Sequence, residues 1–240
     1  MQIFTYNLLA ERFNKTSYEW NTRLDKIKKV ISDFIDSNHS EGLKVICLQE
    51  VELDDIERDF KGFFAERGYQ YVHHSKTKKR TSPIGNLTAW PASIKLEKVD
   101  YTSTAVITAL RAETETISEM ETMTIANIHL KAGIKSQTAT RVSQLKSVMT
   151  HSPDIVVGDF NDDFRDSNDL LNLLKGYNQS ESINTVWADD RVWAFDAVFS
   201  RIHTRRDEPE GFKVVSSAVT GPIPNDDNPS DHVPLVAVLS

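Results

Sequence analysis

The run Asp154-Ile-Val-Val-Gly-Asp-Phe-Asn-Asp162 constrains what this chain can become more than any other stretch. Ile155, Val156 and Val157 stand together with no polar position between them, the pattern of a strand covered on both faces. Such a strand belongs inside a layered molecule. The apolar run stops at Gly158 and then presents Asp159 and Asn161. Carboxylate and amide oxygens just past the C-terminal end of a buried strand are where sheet proteins place hard-cation ligands and catalytic groups. An Asp/Asn turn leaving a strand is the competing reading of the same residues.

The rest of the chain alternates strands and helices. Gln2 to Leu8 reads as a first strand, and Trp20 to Ser37 as a helix whose Leu24, Ile27, Val30, Ile31, Phe34 and Ile35 recur at helical spacing. Leu43 to Leu48 is a second buried strand, and Leu53 to Arg67 a second helix that Gly68 stops. Short segments follow at Tyr69 to His74, Asn86 to Trp90, Ile94 to Tyr101, Thr104 to Arg111 and Thr122 to Leu130, a run that favours antiparallel pairing over a doubly wound parallel sheet. Thr/Glu-rich Ala112 to Thr122 reads as a hairpin connection or a solvated edge. Helix returns at Ser136 to Thr150, followed by the Ile155 strand and a short helix over Asn168 to Leu174. Strands close the chain at Arg191 to Phe199, Gly211 to Val219 and Val233 to Leu239. Two sheets packed face to face with outer helices is the simplest layered solution.

Composition narrows the function classes. At 240 residues, 39% hydrophobic and 26% charged, the chain is expected to form one compact domain over residues 1–240. No apolar run approaches the length of a membrane span, and the N-terminus lacks the features of a secretory signal, so no membrane association is expected. The single cysteine, Cys47, reads as a small buried apolar residue and fits an intracellular reducing compartment such as the cytoplasm. A net charge of −7 argues against a protein that coats nucleic acid by bulk electrostatics. It allows an enzyme acting on phosphodiesters, because a metal-dependent site concentrates carboxylates that divalent cations neutralise.

Polar residues recur at strand ends where core packing does not require them. Asn7 ends the first strand, Glu50 follows Cys47-Leu-Gln, and His129 interrupts Ile125-Ala-Asn-Ile-His-Leu. Asp196 lies inside Trp193-Ala-Phe-Asp-Ala-Val-Phe, and Asp231-His232 precede the last strand. A charged Asp in an apolar strand costs roughly several kcal/mol unless it is paired or hydrogen-bonded, so Asp196 needs a partner, and a histidine is a natural one. Taken singly, Asn7 and Asn161 are turn residues, Glu50 a helix N-terminal charge and His129 a satisfied core histidine. If the strands lie side by side, their ends converge on one rim and bring these carboxylates, amides and histidines to one cleft.

The ordered set YNLLA, CLQEV, ANIHL, GDFN, FDAVF and SDHVP resembles the endonuclease/exonuclease/phosphatase superfamily from Tyr6 to Leu239. The resemblance implies a four-layer, DNase I-like α/β-sandwich, two mixed sheets flanked by helices, and hydrolysis of phosphoesters with one or two Mg²⁺ or Mn²⁺ ions. It implies that Glu50 is the main metal ligand, with Asn7 and Asp231 beside the metal. Asp159 and Asn161 would handle the attacking water and the phosphate or a second metal, and His129 would contact the scissile phosphate. His232 would be the catalytic histidine, oriented by Asp196. Abasic-site endonucleases usually carry an acidic residue where this chain has Leu9, and inositol phosphatases a cysteine- and tryptophan-containing run that is missing here. Tyr6-Asn-Leu-Leu-Ala10, Trp20 and Arg23, Cys47 to Glu52, Gly68-Tyr69 and Pro229-Ser-Asp-His232 look like the deadenylase, nocturnin, Angel and 2′-phosphodiesterase branch.

That branch implies a 3′-exoribonuclease acting on single-stranded RNA, with no protein partner specified and a monomer as the expectation. Basic groups for phosphates and aromatic faces for bases are the expected tools. Lys76-Thr-Lys-Lys-Arg80 reads first as a solvated surface run and second as a phosphate-contacting loop; Lys131, Lys135 and Arg141, near His129, are better-placed candidate phosphate contacts. Trp187 is the candidate base-stacking residue, ahead of Trp193, which shares a strand with Phe195. Asp162 and Asp163 read as loop charges. Departures from the branch are Asn86 and Thr88 within Ile84 to Trp90, the absence of a proline after Asn161, and no leucine-rich extension, which leaves a bare catalytic domain as the expectation. DNA ends, a small nucleotide or a 2′,5′-linked oligonucleotide are alternative substrates, and a catalytically silent binding module is the alternative of another class.

Overall fold

Every second residue of the first strand faces a different layer, and that alternation sets the architecture. In β1 (Gln2–Asn7) and just beyond it, Phe4, Tyr6 and Leu8 pack toward α1 (Trp20–Asp36), while Ile3 lies in the core between the two sheets. The structure, a computed structural model, describes residues 1–15, 18–37, 42–52, 56–75, 84–111, 122–133, 137–163, 167–180, 184–188, 191–201, 213–214, 223–225 and 228–239. Most of the strand expected at Gly211 to Val219, the Lys76 to Arg80 loop, Lys135 and nearly all of the Ala112 to Thr122 connection lie outside these residues.

The first sheet continues with β2 (Lys44–Glu52), β3 (Tyr69–Ser75) and β4 (Ile84–Pro91). The second begins with β5 (Lys95–Tyr101), β6 (Ala105–Arg111), β7 (Thr122–His129) and β8 (Ile155–Asp159), with α3 (Thr138–Met149) between β7 and β8. Then come α4 (Asn168–Leu173), β9 (Asn178–Gln179), β10 (Val186–Ala188), β11 (Arg191–Trp193), β12 (Asp196–Ser200), β13 (Lys213–Val214) and β14 (Leu235–Val238). Strand order is β13-β14-β1-β2-β4-β3 in one six-stranded sheet and β5-β6-β7-β8-β12-β9 in the other. The mainly antiparallel expectation holds except at β1/β2 and β7/β8, which are parallel and make both sheets mixed.

Three separate apolar clusters give four layers. One lies between the first sheet and α1 with the helical segment at 57–66, one between the second sheet and α3 with α4, and the third between the sheets. In α1, Leu24, Ile27, Ile31 and Phe34 are buried at helical spacing. Each such side chain contributes about 1.5–3 kcal/mol relative to exposure. The Ile155 run fits its reading: β8 is buried along its length, with Val156 facing the helices and Ile155 and Val157 the other sheet.

Two elements differ from the sequence reading. The helix expected from Leu53 begins its described part with a π-helical turn, Glu57–Lys61, before α2 (Gly62–Glu66). The wider turn buries both Asp59 and Phe60, and Asp59 accepts the Trp20 indole N–H at 2.9 Å. Gly68, at φ +68°, ends the helix as expected. The single strand expected over Arg191 to Phe199 is two: β11 forms a hairpin with β10, and β12 joins the second sheet. Both halves are apolar, so periodicity gave no sign of the break at Ala194-Phe195.

Candidate active site

β1 and β2 run parallel, so Asn7 and Gln49 are paired at the same end of the first sheet. In the second sheet, parallel β7/β8 and antiparallel β8/β12 align His129, Asp159 and Asp196 in one row. β14 enters beside the end of β1, with Thr5 opposite Leu235, so the Asp231-His232 segment lies just beyond that end. The strand-end residues singled out in the sequence therefore meet at one rim.

Local backbone devices aim them. Between Leu48 and Val51 the register of β2 against β4 shifts, and Glu50 adopts φ +56°. Without the bulge Gln49 and Glu50 would point to opposite faces. With it, Gln49 faces the second sheet, where it bonds Asn127, Glu50 reaches the cleft, and Val51 returns to the helix-side core. Leu9 (φ +55°) and Asn161 (φ +52°) also sit in the left-handed region, which a non-glycine residue adopts at a cost of roughly 1–3 kcal/mol. Gly158 has a different reason: a Cβ there would lie 2.1 Å from the Ile128 carbonyl oxygen, so only glycine lets β8 approach β7 beside Asp159.

Asn7 bridges the two central carboxylates. Its Nδ2 donates to Asp159 Oδ2 at 3.0 Å and Glu50 Oε1 at 3.3 Å, while its Oδ1 accepts the Leu9 N–H at 3.0 Å. Its amide oxygen is thus turned to the backbone, and its part here is to hold two carboxylates together. Glu50 Oε2 accepts the Ala10 N–H at 3.0 Å. His129 Nε2 lies 3.5 Å from Asp159 Oδ2 and 3.6 Å from Glu50 Oε1. Asn161 donates its backbone N–H to Asp159 Oδ1 at 2.8 Å and its side-chain amide to the Leu130 carbonyl at 3.2 Å. His232 Nδ1 lies 2.8 Å from Asp196 Oδ2, which gives Asp196 the histidine partner its burial demanded. The other ring nitrogen, Nε2, stands 3.8 Å from Asp159 Oδ2 and 3.9 Å from Asp231 Oδ1.

The electrostatics follow from burial and crowding. Burial, with the charge of Asp196 added, pushes the Asp159 carboxyl up to about 7, against the lowering pull of His232 and two hydrogen bonds. Burial also raises Glu50, opposed by the Ala10 N–H. For His232, burial disfavours the charged ring, but Asp196, Asp159 and Asp231 together hold its pKa well above the ordinary value. A site this rich in carboxylates and imidazoles fits a divalent cation. One ligand atom each from Asp159, Asp196 and His232 lies within 4.8 Å of the others, and Asp196 Oδ1 is buried without a hydrogen-bond partner among the described residues.

Three supports escaped notice as site residues. Arg23 is buried, donates through Nε to the Pro229 carbonyl at 2.7 Å and through Nη2 to the carbonyls of Leu8 and Leu9, and lies 3.4 Å from Glu11. It fastens the loop that carries Ala10 to the loop that carries His232. A cation on the apolar face of α1, one position before Leu24, was the available signal. Ser230 Oγ donates to the Asn7 carbonyl at 2.6 Å and accepts the His232 N–H at 3.2 Å, and Thr185 Oγ1 accepts the Asp196 N–H at 3.1 Å.

Several other expectations change. Arg141, expected to contact substrate, is buried, with Nε on Asp162 Oδ2 at 3.0 Å and Nη1 on the carbonyls of Lys131 and Gly133. It organises the loop after β7. Asp162 is its partner and Asp163 is buried, so neither is a free loop charge. Lys131 is exposed two residues past His129. The backbone of Trp187 lies in the β10/β11 hairpin, whose Val186 bridges to His232, and its side chain lies outside the described residues. Trp193 stacks on Phe195 at 5.6 Å. Asn86 and Thr88 belong to a polar seam between the sheets: Asn127 Nδ2 donates to the Leu87 carbonyl at 2.9 Å and Thr88 Oγ1 at 3.3 Å, and Asn86 Nδ2 to the carbonyls of Asn127 and Thr104.

A family model described as the endonuclease/exonuclease/phosphatase family matches residues 4–232. The chain belongs to this family. Its members hydrolyse phosphoester bonds and are generally dependent on divalent metals. Among solved structures, the human Nocturnin catalytic domain with bound sulfate has a TM-score of 0.69 at 20% identity, covering 99% of this chain and 93% of that one. ANGEL2, titled a 2′,3′-cyclic phosphatase in complex with adenosine-2′,3′-vanadate, has a TM-score of 0.76 at 17% identity, covering 98% and 94%. A conserved protein of unknown function from Enterococcus faecalis V583 has a TM-score of 0.72 at 16% identity, covering 100% and 99%. No curated protein matches the chain. The two mixed sheets with flanking helices are the DNase I-like fold of this family. Among the described residues no helix is long and apolar enough to cross a membrane.

Proposed function

We propose that the chain is a Mg²⁺- or Mn²⁺-dependent phosphodiesterase, a 3′-exoribonuclease of deadenylase type acting on single-stranded RNA as one catalytic domain. The observation that carries this reading is the His232–Asp196 pair facing Asp159 across 3.8 Å, with Glu50 and His129 grouped around the same carboxylate. Glu50 and Asp231 are the residues that would hold a cation, beside the Asp159, Asp196 and His232 group whose ligand atoms lie within 4.8 Å of one another, and the cation would neutralise phosphate charge and lower the pKa of a coordinated water.

The side chains divide the remaining work. Asp159, fixed by Asn7 and the Asn161 N–H, accepts a proton from the attacking water as its oxygen bonds phosphorus. His232, its Nδ1–H donated to Asp196, presents Nε2 as a cationic donor to a phosphate oxygen. His129 donates to a second phosphate oxygen. The phosphorus–oxygen bond to the 3′-oxygen of the shortened strand breaks, and that oxygen takes a proton from solvent water, to which Asp159 later returns the one it accepted. Lys131 supplies a phosphate contact upstream of α3.

The likeness to ANGEL2, titled a 2′,3′-cyclic phosphatase, motivates a second reading in which the bond broken is a cyclic phosphodiester at an RNA end. Release of product from labelled single-stranded RNA, single-stranded DNA, a 2′,5′-linked oligonucleotide and an RNA ending in a 2′,3′-cyclic phosphate, each with and without Mg²⁺, tests both. Fastest turnover of 3′-hydroxyl RNA supports the first reading, and of the cyclic end the second. No metal-dependent hydrolysis of any of them contradicts the enzyme reading and leaves a binding module.

A further inference from the structure

β4 lies beside β2, and its Asn86 falls opposite the bulge that turns Glu50 inward, because Leu87 pairs with Leu48 and Gly85 with Val51. This amide stands in a strand otherwise expected to be apolar, and it is buried at 2% exposure. Its Nδ2 crosses to the second sheet, donating to the Asn127 carbonyl at 3.0 Å and to the Thr104 carbonyl at 3.1 Å. The Thr104 carbonyl also accepts the His129 N–H at 2.9 Å. Both hydrogens of one amide therefore hold the backbone that delivers His129. Asn127 answers in the opposite direction: its Nδ2 donates to the carbonyls of Leu87 at 2.9 Å and Leu48 at 3.2 Å, and its Oδ1 accepts the Gln49 side chain at 2.8 Å. Leu48 and Gln49 immediately precede Glu50.

We propose that Asn86 is a positioning residue for His129: it clasps the strand end that carries His129 to the sheet that carries Glu50, and so sets the gap in which the two sheets meet one phosphate. This role rests on the phosphodiesterase reading and deepens it by naming what aligns the two halves of the site. Glu50 comes from the first sheet, His129 and Asp159 from the second, and His129 Nε2 stands 3.6 Å from Glu50 Oε1. Much of the inter-sheet core is apolar, with Ile3, Val45, Trp90, Val157 and Leu235 among its members. Apolar contact is non-directional and lets two layers slide, whereas hydrogen bonds fix distance and register. Asn86 Oδ1 is buried with no hydrogen-bond partner among the described residues, a cost to folding that a leucine in the same place would avoid. An amide kept in spite of that cost fits a functional role better than a packing one.

The test is a double-mutant cycle of Asn86→Leu and His129→Ala, read by calorimetric binding of inorganic phosphate to the protein with Mg²⁺ and, in parallel, by kcat and KM for single-stranded RNA. Asn86→Leu is expected to keep or raise the urea midpoint, to weaken phosphate binding about 10-fold and to lower kcat roughly 10²-fold with KM little changed. Added to His129→Ala it should weaken neither further, because the amide acts through that ring. Asn86→Ala, which removes the amide without a side chain of similar size, carries the same cycle if the leucine variant does not fold. Phosphate affinity unchanged in the Asn86 variants, or losses that multiply in the double variant, would overturn the positioning role. With RNA hydrolysed by the wild type, those results sink the clasp alone. A cycle that closes in phosphate binding without turnover of any phosphodiester sinks the phosphodiesterase reading alone, and a wild type that neither binds phosphate nor cleaves sinks both.

Discussion

Replacing Arg23 by methionine keeps the apolar stem and removes the group that joins the two loops of the site. The guanidinium is buried and serves the carbonyls of Leu8, Leu9 and Pro229. Each carbonyl left buried without a donor costs about 1–3 kcal/mol. The sum is offset by no longer holding a cation out of water, a cost visible in the lowered pKa that burial imposes on Arg23. The net expected loss is about 3–5 kcal/mol, the range for removing one member of a buried charged network. Arg23→Lys should recover only part, because an ammonium cannot place donors at the Nε and Nη2 positions together. Urea unfolding measures the loss, and activity should fall in the same variants because Leu9 and Pro229 flank the residues that orient Glu50 and His232. A loss under about 1 kcal/mol with turnover intact would show that the two loops are held by something else.

Gly158→Ala forces a Cβ to 2.1 Å from the Ile128 carbonyl oxygen at φ +133°, so it should destabilise by roughly 3 kcal/mol or more in urea unfolding, and a loss under about 1 kcal/mol would contradict the close approach of β7 and β8. Asp196→Asn keeps the shape but removes the charge that holds His232 protonated and oriented, so kcat should drop about 10³- to 10⁴-fold and the alkaline limb of the pH–rate profile should move to lower pH. The raised pKa values of Asp159 and His232 both give stability that is full below their unfolded values and is lost as pH rises through the folded ones, for Asp159 about 7. Metal-free protein should therefore melt at a lower temperature at pH 8 than at pH 5, and Mg²⁺ should raise the midpoint more at pH 8; an equal rise at both would refute the linkage.

The residues that proved legible are those whose chemistry conflicts with their surroundings. Asp196 in an apolar strand required a partner, and His232 is there at 2.8 Å. The abrupt stop at Gly158 marked a real constraint, since β8 can hold Asp159 beside β7 only without a side chain at that position. What stayed hidden depends on contacts distant in sequence. The bulge that sends both Gln49 and Glu50 inward is set by how β2 meets β4, which no period in the sequence reveals. Arg141 looked like a substrate contact by proximity to His129, yet its acceptors on Asp162, Lys131 and Gly133 appear only when α3 packs. The hairpin at Trp187 and the polar seam through Asn127 likewise arise from tertiary pairing. Trp187 as a base-stacking residue stays a proposal.

Single-turnover cleavage of 3′-labelled RNA by wild type, Glu50→Gln and His232→Ala tests most directly whether this one cleft performs metal-assisted phosphodiester hydrolysis. With Mg²⁺ the wild type should cleave, chelation should abolish it, and each variant should lose at least about 10³-fold while its unfolding curve shows a folded protein. Cleavage that persists in EDTA, or in both variants at wild-type rate, would contradict the assignment of this site.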